Sequence, residues 1–388
     1  MSELATDGML PKERVAAVFD HRPTDKVPIY QAGFSSRVAS AVLGREAYVG
    51  GGIQQYREAR ALWDGEEAHQ EYLARSRRDA FDLVRVLDLD LVRPAYWRMA
   101  TKPTRRIDEH TFLYGDPEGS WHVMRFSPET ELYQVADRSP APEPSVDDLE
   151  RTVEASEAGV DGYRPQPSAF PDLLAAVEEF GAERAVPGAG VGICVPRERV
   201  WLEAIALRPD LVGRYLMAQA GRAAPVASVM QQIGLRHLMG GGDFASKRGP
   251  FYSPKAFHDL MLPALRVVSE ACHAQGCHHM FASDGDLWPV AEDLFGASGV
   301  DCFYEIDRRA GMDLRRLRRR YPHLTLLGGI ASETLHTGTR QDVIEETLSA
   351  LEVAKELGSC IIGCSNQIVA LTPIANFEAM MEALQAHR

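Results

Sequence analysis

At 388 residues, 45% hydrophobic and 25% charged, the chain has the make-up of a globular protein, long enough for one large barrel or two domains. No apolar run reaches the about 18–20 residues that a membrane span needs, and a formal charge of −13 argues against nucleic acid as the main partner. Six cysteines, at 194, 272, 277, 302, 360 and 364, show no framework spacing, and the opening MSELATDGMLPKER lacks the basic start and apolar stretch of a secretory signal, so a reducing cytoplasm is the expected location.

In chain order, PKERVAAVFD (11–20) reads as a short amphipathic helix with proline at its start. VPIYQAG (27–33) is the first strand expected. Residues 54–87 carry a helical pattern, and LDLDLVRPAYW (87–97) is the second strand. From 101 to 138 the pattern changes: TFLYGDPEGSWHVMRF places a Gly-Asp-Pro-Glu-Gly turn between two alternating runs, which predicts an inserted β-hairpin. SPAPEPSVDDLERTVEA is a Pro-rich connector into a helix capped at Ser145. A helix over 170–181 leads to strand three (185–193), and two further helices follow before residue 236.

From Arg236 onward, one pattern recurs: a short apolar run ends in polar residues and turns into a helix. The runs are 236–243, 277–284, 300–306, 324–330 and 359–365. With the three earlier stretches they make eight strands alternating with helices. That predicts an α/β fold, a closed (β/α)8 barrel over residues 1–388 as one domain, with the hairpin inserted after strand two. Such a barrel carries its site where the strands end. On that rim stand Gln31, Arg37, Arg93, Arg197, Asp243, Lys247, Arg248, Ser283, Asp284, Glu305, Cys364 and Asn366. Carboxylates crowded in one mouth raise one another's pKa, so Asp243, Asp284 and Glu305 are expected acids, and Cys364 a possible catalytic thiol. Gln31, Arg37, Arg93, Arg197, Lys247, Arg248, Ser283 and Asn366 are expected to hold substrate. The bland alternatives are plain: Asp284 as a helix cap, Cys364 as a small buried hydrophobe.

The blocks HRPTDKVP, GGDFASKRGPFYSP, ASDGD, AGMDL, GGIASETLHTGT and PIANFEAM, in this order, resemble the uroporphyrinogen decarboxylase superfamily. The resemblance implies a (β/α)8 barrel, commonly a homodimer. It implies either a porphyrinogen decarboxylase or a methyltransferase that moves methyl groups among corrinoids, thiols, folates and methylated amines or ethers. The decarboxylases carry a motif resembling P-V-W-x-M-R-Q-A-G-R; here Gln31-Ala32-Gly33 remain, both arginines are missing and only Arg37 is near. Asp90 matches their pyrrole-binding aspartate, or simply pairs with Arg93. The zinc methyltransferases resemble His-x-Cys on strand five with a further Cys on strand eight. This chain has Ala282-Ser283-Asp284 and Cys364, so the usual zinc site is eroded, and any metal would rely on Asp284 and Cys364.

The expectation is therefore an enzyme that takes a methyl group from a small methylated substrate. A corrinoid, which a partner corrinoid protein could carry, tetrahydrofolate or a thiol would accept it, with Asp243 or Asp284 as general acid. Decarboxylation is the second reading. A barrel that binds a tetrapyrrole or corrinoid without chemistry is the third.

Overall fold

The computed structural model describes residues 8–141 and 144–388. Residues 1–7, within the opening segment read for a signal, and 142–143, in the Pro-rich connector, lie outside the described residues.

A parallel sheet organises the fold. Its strands are Gly188–Ala189, His237–Met239, His278–Ala282, Cys302–Tyr304, Thr325–Ile330 and Cys360–Cys364, each paired with the next in chain order. Met280 sits opposite both Met239 and Cys302, and Leu327 opposite Tyr304 and Ile361, so the register is continuous across five strands. Apolar residues fill the strands because both faces are buried. Phe281, Phe303, Leu326 and Ile362 pack toward the helices. Met280, Cys302, Leu327 and Ile361, one residue out of phase, join Tyr30, Leu91 and Ala185 in a second core that Val15, Val18 and Phe19 of the helix Pro11–Phe19 complete.

Two of the eight expected strands are not regular strands. Residues 27–33 and 87–96 run alongside the sheet through isolated parallel bridges, Ile29 to Ile362, Gly33 to Gln367 and Leu91 to Ala185, and Asp90 N donates to Ile29 O at 3.0 Å. Pro28 has no N–H to extend a ladder. Among the described residues the regular sheet thus has six strands and does not close on itself.

The 101–138 region holds more than a hairpin. Thr111–Gly115 and Trp121–Ser127 pair antiparallel around the expected turn, and Arg105–Arg106 and Leu132–Arg138 extend them to four strands. This sheet has its own core, in which Tyr56 stacks on Phe126 at 4.2 Å. The helical pattern of 54–87 is two helices, Gly52–Asp64 and Glu66–Val86, because Gly65 at φ +124° takes a conformation closed to other residues. No described helix is long and apolar enough to cross a membrane.

Asp90 is neither a rim acid nor a partner of Arg93. Its carboxylate is 1% exposed and takes hydrogen bonds from Arg14, from Arg388 Nη1 at 2.7 Å and from Ile29 N at 2.8 Å. It ties the last residue of the chain and the first helix to the first extended segment.

Candidate active site

Three carboxylates converge because each follows a strand of the same sheet. Asp243 comes after His237–Met239 through three glycines, Asp284 two residues after His278–Ala282, and Glu305 directly after Cys302–Tyr304. Gly241 has φ +141°, and a Cβ there would lie 2.6 Å from Ala282 O, so only glycine lets the chain run this close to its neighbour. Oxygens of Asp243, Asp284 and Glu305 lie within 4.8 Å of one another.

Two of the three are already partnered. Asp243 accepts from Arg197 Nη2 at 2.8 Å and from Asp284 N at 3.3 Å. Asp284 accepts from Asn366 Nδ2 at 2.9 Å on both oxygens. Glu305 has no hydrogen-bonding partner among the described residues, and its backbone is in the left-handed region at φ +64°, uncommon for a residue with a side chain. Burial pushes the Glu305 carboxyl up to about 7; repulsion from Asp284 and Asp243 adds to this, and Arg93 opposes it. Asp284 is also raised, first by burial and then by Asp243 and Asp307, while Asn366 holds it down. The helix-cap alternative for Asp284 fails on geometry, since Trp288 N donates to Asp286 at 3.0 Å instead.

Glu305 and Asn366 stand between two cavities. One, of about 490 Å3, is lined by Tyr30, Arg93, Trp97, Phe170 and Tyr304 beside the two shared residues. The other, of about 330 Å3, takes in Lys247, Asp284, Asp307 and Arg308. Lys247 is 3.4 Å from Glu333.

Other expected site residues lie elsewhere. Cys364 is fully buried beside Cys360 and Ile362 on the helix side of its strand, as alternation dictates, and its thiol donates to Asn366 O at 3.1 Å. Burial pushes that thiol up to about 12. Gln31 is buried, accepting from Cys364 N at 2.9 Å, and buried Ser283 accepts from Phe244 N at 3.0 Å, so both brace backbone instead of facing a ligand. Arg37 and Arg248 are exposed and line neither cavity. The aromatic wall was not foreseen. Tyr304 was findable, because it alternates in phase with inward Cys302; Phe170, in a loop, carries no such signal.

This donor set does not fit a thiolate zinc site. Cys364 is outside the carboxylate cluster, its thiol holds its proton firmly, and alanine stands at 282. Asp243, Asp284 and Glu305 together are an all-oxygen set, the kind that suits a hard cation. Native thiol labelling followed by mass spectrometry should modify Cys194, the one exposed cysteine among the described residues, and leave Cys364 unmodified until the protein unfolds. Rapid native labelling of Cys364 would contradict its placement.

Residues 244–387 match the family described as uroporphyrinogen decarboxylase (URO-D). No curated protein matches the chain in sequence. Among solved structures, a methyltransferase from Methanosarcina mazei is similar over 97% of this chain and 99% of its own, with a TM-score of 0.63 and 17% identity. A chitinase from Chromobacterium violaceum aligns over 55% of this chain and 95% of its own at 12% identity, TM-score 0.32. A D-psicose 3-epimerase from Clostridium cellulolyticum aligns over 62% and 90% at 11% identity, TM-score 0.29. The resemblance read from the sequence blocks is thus met by the uroporphyrinogen decarboxylase family pattern over residues 244–387, and nearly the whole chain is similar in fold to the Methanosarcina protein.

Proposed function

We propose that this protein is a methyltransferase that moves a methyl group from a small methylated substrate to a corrinoid, folate or thiol acceptor. The observation that carries the reading is the wall shared by the two cavities. A transfer between two reactants needs two chambers that meet at the reacting groups, whereas a one-substrate lyase needs one. Similarity in fold to a methyltransferase supports the same choice.

In this reading the donor occupies the larger cavity. The methyl carbon bonds to the acceptor's electron pair as its bond to the donor heteroatom breaks. The departing heteroatom takes the proton of Glu305, leaving a carboxylate that solvent water reprotonates. A carboxyl that titrates near 7 suits this work, being protonated often enough and acidic enough to give the proton up. Asp284 and Asp243 act through Glu305, since their charges keep its proton on. We also read the six-stranded sheet with segments 27–33 and 87–96 as the eight staves of a (β/α)8 barrel, with 1–388 one domain that pairs as a homodimer. The isolated bridges at Ile29, Gly33 and Leu91 support the eightfold count. A corrinoid protein is the partner this scheme accommodates, and the cytoplasm its location.

Decarboxylation is the second reading, favoured by the family match, because the Glu305 proton would equally serve a developing carbanion. Asp90 locked between Arg14 and Arg388, and Arg37 outside both cavities, leave a polycarboxylate little to hold. Methyl-13C ethers and amines, supplied with reduced cobalamin, tetrahydrofolate or a thiol, should yield labelled acceptor by NMR. Release of CO2 from a porphyrinogen with no label transferred would overturn the proposal.

Asp284→Asn should move the alkaline limb of the pH–rate profile to lower pH, because one repelling charge is removed and Glu305 ionises earlier. An unmoved limb would show that Asp284 does not act through Glu305.

A further inference from the structure

We infer that the larger cavity takes a flat aromatic monocarboxylate, its ring against the aromatic wall and its carboxylate on Arg93. This deepens the methyl-transfer reading by naming the donor's class, and rests on it only for which end of the molecule reacts.

The walls set the shape. Tyr30, Trp97, Phe170 and Tyr304 present four aromatic side chains to one space of about 490 Å3, with Met239 and Leu173 among the apolar remainder. Rings in such a setting favour a planar guest, through offset or edge-on contacts added to simple burial. Trp97 is 53% exposed, a large apolar surface left for a ligand to cover.

The charges set the polarity. Three charged residues line the cavity: Arg93, Asp172 and Glu305. Asp172 is committed elsewhere, to Arg77 at 3.0 Å and Arg98 at 3.3 Å. Glu305 carries only part of a charge near neutrality. Arg93 forms no ion pair among the described residues. Its Nε donates to Ala95 O at 3.2 Å, and its guanidinium lies 4.9 Å from the Tyr96 ring centre. Both terminal nitrogens are left to grip a carboxylate in the two-pronged manner that guanidinium geometry favours. One uncommitted cation in an aromatic chamber calls for one negative charge. A cationic guest would meet the charge of Arg93, which Glu305 offsets only in part. A polyanion would find a single partner.

Calorimetric titration of the full-length protein with 2-naphthoate and with 2-naphthamide tests this, since the two differ only in charge at the anchoring end. The acid should bind at one site about 10–100-fold more tightly than the amide, as a charged hydrogen-bonded pair allows. Arg93→Gln should erase that preference and leave the amide's affinity as it was. If that variant does not fold, Arg93→Lys, which keeps the charge and loses the fork, should weaken the acid alone. Equal affinity for acid and amide, an Arg93→Gln variant that keeps the preference, or no binding of either probe overturns the inference. Binding requires no methyl acceptor. Label transfer that fails while 2-naphthoate binds through Arg93 therefore refutes the reaction and not the ligand class.

Discussion

Replacing Glu305 by glutamine should lower turnover about 10²–10⁴-fold, the range lost with a general acid, while making the protein more stable above pH 7. The two effects share one cause. The folded protein holds the Glu305 proton up to about pH 7, whereas the unfolded chain releases it near the ordinary value of 4.5. As pH rises from about 4.5 to about 7, the unfolded state gains from ionisation and the folded state does not, so stability falls across that window and then levels. Glutamine keeps the shape and never ionises, which removes a penalty of at most about 3 kcal/mol. Thermal melts should coincide at pH 4, separate between about pH 4.5 and about pH 7 and stay apart above it, with the variant higher. A variant that is less stable at every pH would mean that Glu305 is a structural group.

Asp90→Ala should cost about 3 kcal/mol of stability, at the low end for breaking a buried ion pair. Arg14 and Arg388 are 3% and 6% exposed, and both lose a shared anion. The loss is not larger because Arg14 keeps Asp25 at 2.7 Å and Arg388 keeps Asp88 at 2.5 Å. Urea denaturation measures the loss. Activity per folded molecule should be unchanged in the cold, because Asp90 faces neither cavity. Lost activity at undiminished stability would return Asp90 to the substrate.

These two residues mark what the sequence discloses. Glu305, Asp284 and Asp243 were legible because each ends an apolar run. In a parallel sheet, such ends come together however far apart they lie in the chain. Their convergence within 4.8 Å follows from topology. Cys364 ends a run as well, yet strand alternation turns it to the helix side, a one-residue distinction that run boundaries do not resolve. Gln31 and Ser283 show the same limit: a polar residue near a strand end can serve the backbone instead of a ligand. The partners of Asp90 could not be read, since Arg14 and Arg388 approach it from opposite ends of the chain. The irregularity of 27–33 and 87–96 escaped notice because apolar patterning reports burial, not whether each N–H finds a ladder partner.

A protonated carboxyl on the wall between the two cavities can be observed without any substrate. Carbon-13 NMR of protein labelled at the glutamate carboxyl carbon, with Glu305→Gln to identify the signal, follows that one group through a pH titration. A midpoint near pH 7, falling in Asp284→Asn, is the expected result. A midpoint near 4.5 in the wild-type protein would contradict it, for Glu305 would then have no proton to give.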